Sequence, residues 1–141
     1  MDKHGFGNKF ESMIILLEKM GIALEELKKE KSVKRYELFL FAAEKKAEEI
    51  VELATTINQE LLRTKNKMST SYYDSFIDLA VFTEFNKQEL KTLGSTAGFR
   101  NSLAHDYLTV DSKVALQPME SMLTIYPLYL KKVKKIVDAL T

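Results

Sequence analysis

Apolar residues recur every three or four positions along nearly the whole chain, and no segment shows the sustained alternation of a strand. From about residue 8 to residue 31, Phe10, Met13, Ile14, Leu17, either Ile22 or Leu24, and Leu27 trace one stripe, which predicts a first long helix. Gly21 lies inside it at a cost of up to about 1 kcal/mol against alanine, so a bend or a close contact is expected there. Ser32 is placed to cap a second helix carrying Tyr36, Phe39, Leu40, Ala43, Ala47, Ile50, Ala54, Ile57 and Leu61 on one stripe. Large residues alternate with alanines along it, which suits close approach of a neighbouring helix. Glu44, Lys45, Lys46, Glu48 and Glu49 read as its solvent side.

The polar run from Thr64 to Thr70 breaks the period and reads as a loop with a basic rim of Arg63, Lys65 and Lys67. Ser71 followed by Asp74 has the form of a capping box and opens a short third helix, with Tyr72 or Tyr73, Phe76, Ile77, Leu79, Ala80 and Phe82 facing inwards. Asn86 with Glu89 repeats the arrangement at the start of a fourth helix, whose core stripe of Leu90, Leu93 and Ala97 is continued by Arg100. Gly94 and Gly98, four apart, would let another backbone come close. After Tyr107 the helical pattern lapses, and Asp111 is a reasonable cap for the next helical segment. Pro118 and Pro127 leave two readings open: three short helices around residues 112–117, 118–126 and from 127 onward, or one continuous kinked helix. Either way the expectation is an all-α, up-and-down bundle of five to six helices, one domain spanning residues 1–141.

Composition narrows the class without naming a chemistry. With 45% hydrophobic and 29% charged residues the chain is globular, and no apolar run approaches the ~18 residues of a membrane span. The first seven residues lack the apolar centre of a signal peptide and cysteine is absent, so a cytoplasmic location is expected and no membrane partner. A formal net charge of +1 leaves nucleic-acid binding to local basic clusters. One such cluster, Lys28, Lys29, Lys31, Lys34 and Arg35, reads as a solvated helix end that complements the dipole, with phosphate binding as the alternative.

Candidate chemistry concentrates in one stretch, Arg100-Asn101-Ser102-Leu103-Ala104-His105-Asp106-Tyr107. Asn101 and His105 are one helical turn apart, so the amide is placed to orient the imidazole. Arg100 and His105 are five apart and converge only near a helix end. A histidine and an arginine there can equally serve as dipole partner and carbonyl cap. Two histidines, no cysteine and no H-E-x-x-H leave nothing that predicts a metal centre, and no phosphate-cradling glycine loop or G-x-S-x-G is present, so no cofactor is expected. Arginine can hold a phosphate through two parallel hydrogen bonds and histidine can move a proton near neutral pH, which together suit metal-free phosphodiester cleavage.

That stretch matches R-x4-H-x-Y with a polar residue directly after the arginine, and in this it resembles HEPN-domain proteins, specifically the toxins of bacterial and archaeal HEPN/MNT toxin–antitoxin pairs. The likeness extends to the order of helices and the short aromatic third one. It implies an all-α homodimer with two motifs across a shared cleft, and a metal-independent endoribonuclease acting on cellular RNA. Arg100 would then hold the scissile phosphate, His105 would be the acid/base and Asn101 would support them. Tyr107 would accept AMP from the partner, a minimal nucleotidyltransferase (MNT) antitoxin of a type VII-like pair. The other reading is a non-catalytic HEPN module that binds a partner or fixes a dimer.

Overall fold

In a computed structural model the backbone is described for residues 3–105 and 112–140, and side chains for residues 5–103 and 116–140. Within it α1 spans Lys3–Lys29, α2 Val33–Arg63, α3 Tyr72–Ile77, α4 Lys87–His105 and α5 Ser112–Asp138, and a 3-10 turn Asp78–Val81 follows α3. No strand occurs among the described residues. Four long helices run up and down, and α3 lies across the α2–α4 seam.

Capping chemistry sets the starts of three helices. Ser32 Oγ accepts from the Arg35 N–H at 3.4 Å, and Ser71 Oγ accepts from the Asp74 N–H at 3.0 Å. Asn86 and Glu89 close a full reciprocal box, each side chain accepting from the other's backbone N–H at 2.8 and 2.9 Å. The Ser71 box is half made, because the Asp74 carboxylate turns to the Thr70 hydroxyl.

The first helix begins earlier than its stripe predicts. Phe6 is fully buried and its ring packs 6.1 Å from that of Phe10, so tertiary burial carries the helix across Gly5 and Gly7. Of the two readings of the last segment the continuous one holds: α5 runs through both Pro118 and Pro127. Met119, Met122, Tyr126, Tyr129 and Val133 are all fully buried, and burying such side chains at ~1.5–3 kcal/mol each outweighs a proline cost of about 3 kcal/mol.

Polar contacts lock α5 in place. Thr96 donates its only hydroxyl proton to the Leu93 carbonyl, so the Tyr126 hydroxyl donates to Thr96 Oγ1 at 2.8 Å. The Tyr129 hydroxyl faces Asn58 Oδ1 at 2.6 Å and the Ala54 carbonyl at 3.1 Å; Asn58 Nδ2 donates to Ser75 Oγ, which donates to the Tyr72 carbonyl. The chain of bonds thus runs from α5 through α2 to the first turn of α3. Glu89 also accepts from Lys132, and that bond together with the Asn86 N–H holds its carboxyl below the usual range.

Several inward assignments change. Leu24, not Ile22, is the buried member of its pair, and Ala80 is on the surface. Tyr72 and Tyr73 lie on the outside of α4, 37% and 49% exposed. Gly94 does admit a close neighbour, but it is a side chain: a Cβ there would stand 2.9 Å from the Tyr73 ring. Gly98 faces open space, and Gly21 meets only Leu123 at an ordinary 3.7 Å.

Glu44 is a further correction, because it is 5% exposed rather than on the solvent side. Its spacing from Leu40, Ala47 and Val51 puts it on the second buried stripe of a helix packed on two sides. Burial, and secondarily the charge of Glu48, push its carboxyl from 4.5 up to about 7. A carboxyl raised on folding binds its proton more tightly in the native state, so between about pH 4.5 and 7 this group makes stability fall as pH rises. Urea midpoints at pH 5.5 and pH 8 are expected to show that fall in the natural chain and a smaller one in Glu44→Gln; equal slopes would show that Glu44 is not its source.

Candidate active site

The stripe that buries Leu93 and Ala97 against α2 delivers Arg100, three residues on, to the seam where α2, α3 and α4 meet. Its Nη2 donates to Glu52 Oε1 of α2 at 2.7 Å, and the guanidinium carbon lies 5.1 Å from the centroid of the Tyr72 ring of α3. The arginine side chain is 19% exposed and Glu52 47%. Hydrogen bonding to Glu52 holds the guanidinium pKa above its ordinary value despite partial burial, with Tyr72, Glu52 and Glu48 adding attraction. Its Nε–H is buried and has no acceptor among the described residues.

A guanidinium lying over a ring and hydrogen-bonded at one corner to a carboxylate is restrained in position. It still has N–H donors to spare, since the group carries five and Glu52 takes one. An arriving phosphate therefore either uses the remaining donors or displaces a half-exposed carboxylate, and the second is inexpensive because solvent-facing ion pairs are worth about 0–1 kcal/mol.

The other motif residues are reached unevenly. Asn101 is exposed on α4, and His105 is the last residue of that helix, four positions on and in the same line. The His105 imidazole and the whole of Tyr107 lie outside the described residues. The chain just beyond His105, on which the expected helix end depends, also lies outside the described residues. Glu52 and Tyr72 were not legible as site residues. Glu52 sits with Glu48 on a polar line of α2, and only the crossing of α4 brings that line to an arginine 48 positions away.

Among the described residues no group of three potential ligands could hold a metal ion, and no helix is long and apolar enough to cross a membrane. Residues 13–133 match the family described as Ribonuclease HepT-like, a span that contains the three helices around Arg100 and the entire R-x4-H-x-Y stretch. The chain belongs to that family. A HepT-like chain is a HEPN-domain toxin of the nuclease kind, as the motif resemblance implied. The chain is also 27% identical over 123 residues, 83% of its own length and 84% of the relative's, to a protein of Aphanizomenon flos-aquae (strain 2012/KM1/D3) named tRNA nuclease HepT.

Proposed function

We infer that this HepT-like chain is a metal-independent endoribonuclease toxin, working at a cleft between two copies. The observation that carries this reading is the placement of Arg100, its guanidinium over the Tyr72 ring and hydrogen-bonded to Glu52, five residues before His105 on α4. Arg100 holds the scissile phosphate, His105 moves protons, and Asn101 keeps the imidazole oriented. In the reaction the RNA 2′-hydroxyl gives its proton to a base and its oxygen bonds to phosphorus; the bond to the 5′-oxygen breaks, and that oxygen takes up a proton. The single imidazole of the motif cannot readily serve both ends at once, so the second copy supplies the other. The products are a 2′,3′-cyclic phosphate and a 5′-hydroxyl.

Neutralisation falls to a minimal nucleotidyltransferase antitoxin that transfers AMP from ATP to Tyr107. The phenolic oxygen bonds to the α-phosphorus, pyrophosphate leaves and the phenolic proton is lost. A bulky anion two residues from His105 then excludes RNA sterically and repels its phosphates. Mass spectrometry after co-expression should find AMP on the peptide holding Tyr107; an unmodified tyrosine in fully neutralised protein would point instead to inhibition by binding alone.

The relative's name makes tRNA the first substrate to test. Partner-free protein incubated with total tRNA in chelator is expected to yield fragments with cyclic phosphate ends, while cleavage only on adding a divalent ion would remove the metal-free mechanism. The ion pair of Arg100 with Glu52 is the observation that favours the other reading, a catalytically idle HEPN module. Intact RNA after incubation with unmodified dimer would decide for it.

A further inference from the structure

Between α3, the 3-10 turn and the first turns of α4 lies a surface pocket of about 530 Å³. Its floor is apolar, made by Ile77, Phe85 and Leu90, and its rim carries Tyr73, Lys87 and Lys91. Both lysines are exposed, and neither has a carboxylate within ion-pair distance among the described residues. Two unpaired cations one turn apart beside an apolar hollow fit a ligand with a flat apolar part and anionic groups next to it.

The position of the pocket says which ligand. Lys87, Lys91, Gly94, Gly98, Asn101 and His105 follow one another by four, three, four, three and four, so one line of α4 joins the pocket to the motif. Along it Gly98 is exposed, and Gly94 is buried beneath Tyr73 and Ile77 of α3, so between the two ends the surface is formed by the half-exposed Tyr73 ring rather than by any side chain of α4. Tyr73 borders the pocket and Tyr72 lies on Arg100, which puts two half-exposed rings beside the same line. Lysines for phosphates and half-exposed rings for bases, set along one line, are what a single RNA strand uses.

We propose that this pocket is an exosite for the RNA substrate, taking a base against Tyr73 and the adjacent phosphates on Lys87 and Lys91. The proposal rests on the ribonuclease reading above and adds to it a site remote from the bond cleaved. At 1.5 Å of rise per residue Lys91 and Lys87 stand about 14 and 20 Å along the axis from Arg100. At ~3.4 Å per stacked nucleotide that is about four to six nucleotides from the scissile phosphate. Substrates shorter than this reach the motif but not the pocket.

The test measures binding separately from cleavage. His105→Ala protein is titrated into a labelled single-stranded RNA of about ten nucleotides, over a range of salt, with and without Lys87→Gln/Lys91→Gln. The double variant is expected to weaken binding at low salt by about tenfold or more and to flatten the dependence of log K on log salt by about 1.4, two contacts at ~0.7 each. Ala80→Trp, at a surface position lining the pocket, changes no charge and is expected to weaken binding by filling the hollow. In His105-intact protein the same substitutions should raise KM for tRNA and leave cleavage of a dinucleotide unchanged.

Unaltered affinity and salt slope in both pocket variants would overturn the proposal. So would unaltered RNA binding joined to loss of the dimer or of antitoxin binding, which would make the face a protein interface. If the natural chain cleaves no RNA while the binding differences hold, the ribonuclease reading fails and the exosite stands.

Discussion

Arg100→Ala and His105→Ala protein, freed of antitoxin, should each cleave tRNA about 10²–10⁴-fold more slowly than the natural chain while keeping its helical circular dichroism. The two losses have different origins. On the proposed mechanism, losing His105 removes the group that takes the 2′-hydroxyl proton or protonates the leaving oxygen. Without Arg100 the charge gathering on phosphorus has no planar partner, and Glu52 is left as an unpaired carboxylate facing the RNA. Arg100→Lys is not expected to restore the rate, because an ammonium cannot offer two parallel donors. The fold is expected to survive Arg100→Ala, because alanine continues the buried line of Ala97 and Leu103 and the Glu52 carboxylate left behind is half exposed. Cleavage at the natural rate by both variants would end the ribonuclease reading. A loss confined to one of them would assign the chemistry to that residue alone.

The second large effect is on stability. Tyr129→Phe keeps the ring that packs against Phe76, Phe85 and Tyr126, yet removes the hydroxyl facing Asn58 Oδ1 and the Ala54 carbonyl. Asn58 is fully buried, so its oxygen then has no protein donor there, at a cost of about 1–3 kcal/mol. For a chain of this length that is a fall in Tm on the order of 5–10 °C. Tyr129→Ala adds a cavity at the centre of the bundle and should cost roughly 3–5 kcal/mol. Thermal unfolding by circular dichroism measures both. An unchanged Tm for Tyr129→Phe would mean that the Asn58 amide re-pairs without it. Because the same network continues through Ser75 to the Tyr72 carbonyl, the phenylalanine variant should also loosen the ring that covers Arg100.

These two predictions differ in how far the chain alone supports them. Arg100, Asn101, His105 and Tyr107 stand out because their spacing is local: a motif within one or two turns of a helix is written in consecutive residues. The helical class, the boxes at Ser71 and Asn86 and the core stripe of α4 are legible for the same reason, since capping and 3.6-residue periodicity are properties of short windows. Continuity of α5 through two prolines could not be chosen from local pattern. Its cause is the burial of Met119, Tyr126 and Tyr129 against helices far away in sequence.

Local order along the chain therefore determined that this is an all-α protein with one polar motif at the end of its fourth helix. Tertiary packing alone decided what surrounds that motif: Glu52 and Tyr72 on the guanidinium, Glu44 taken inside, Tyr73 laid over Gly94 beside two unpaired lysines. The physical reason is one of range. Propensity and periodicity act over a turn or two, whereas a charge partner, a stacked ring or a pocket wall is chosen by which helices cross, and that choice is made by the buried area of the whole bundle.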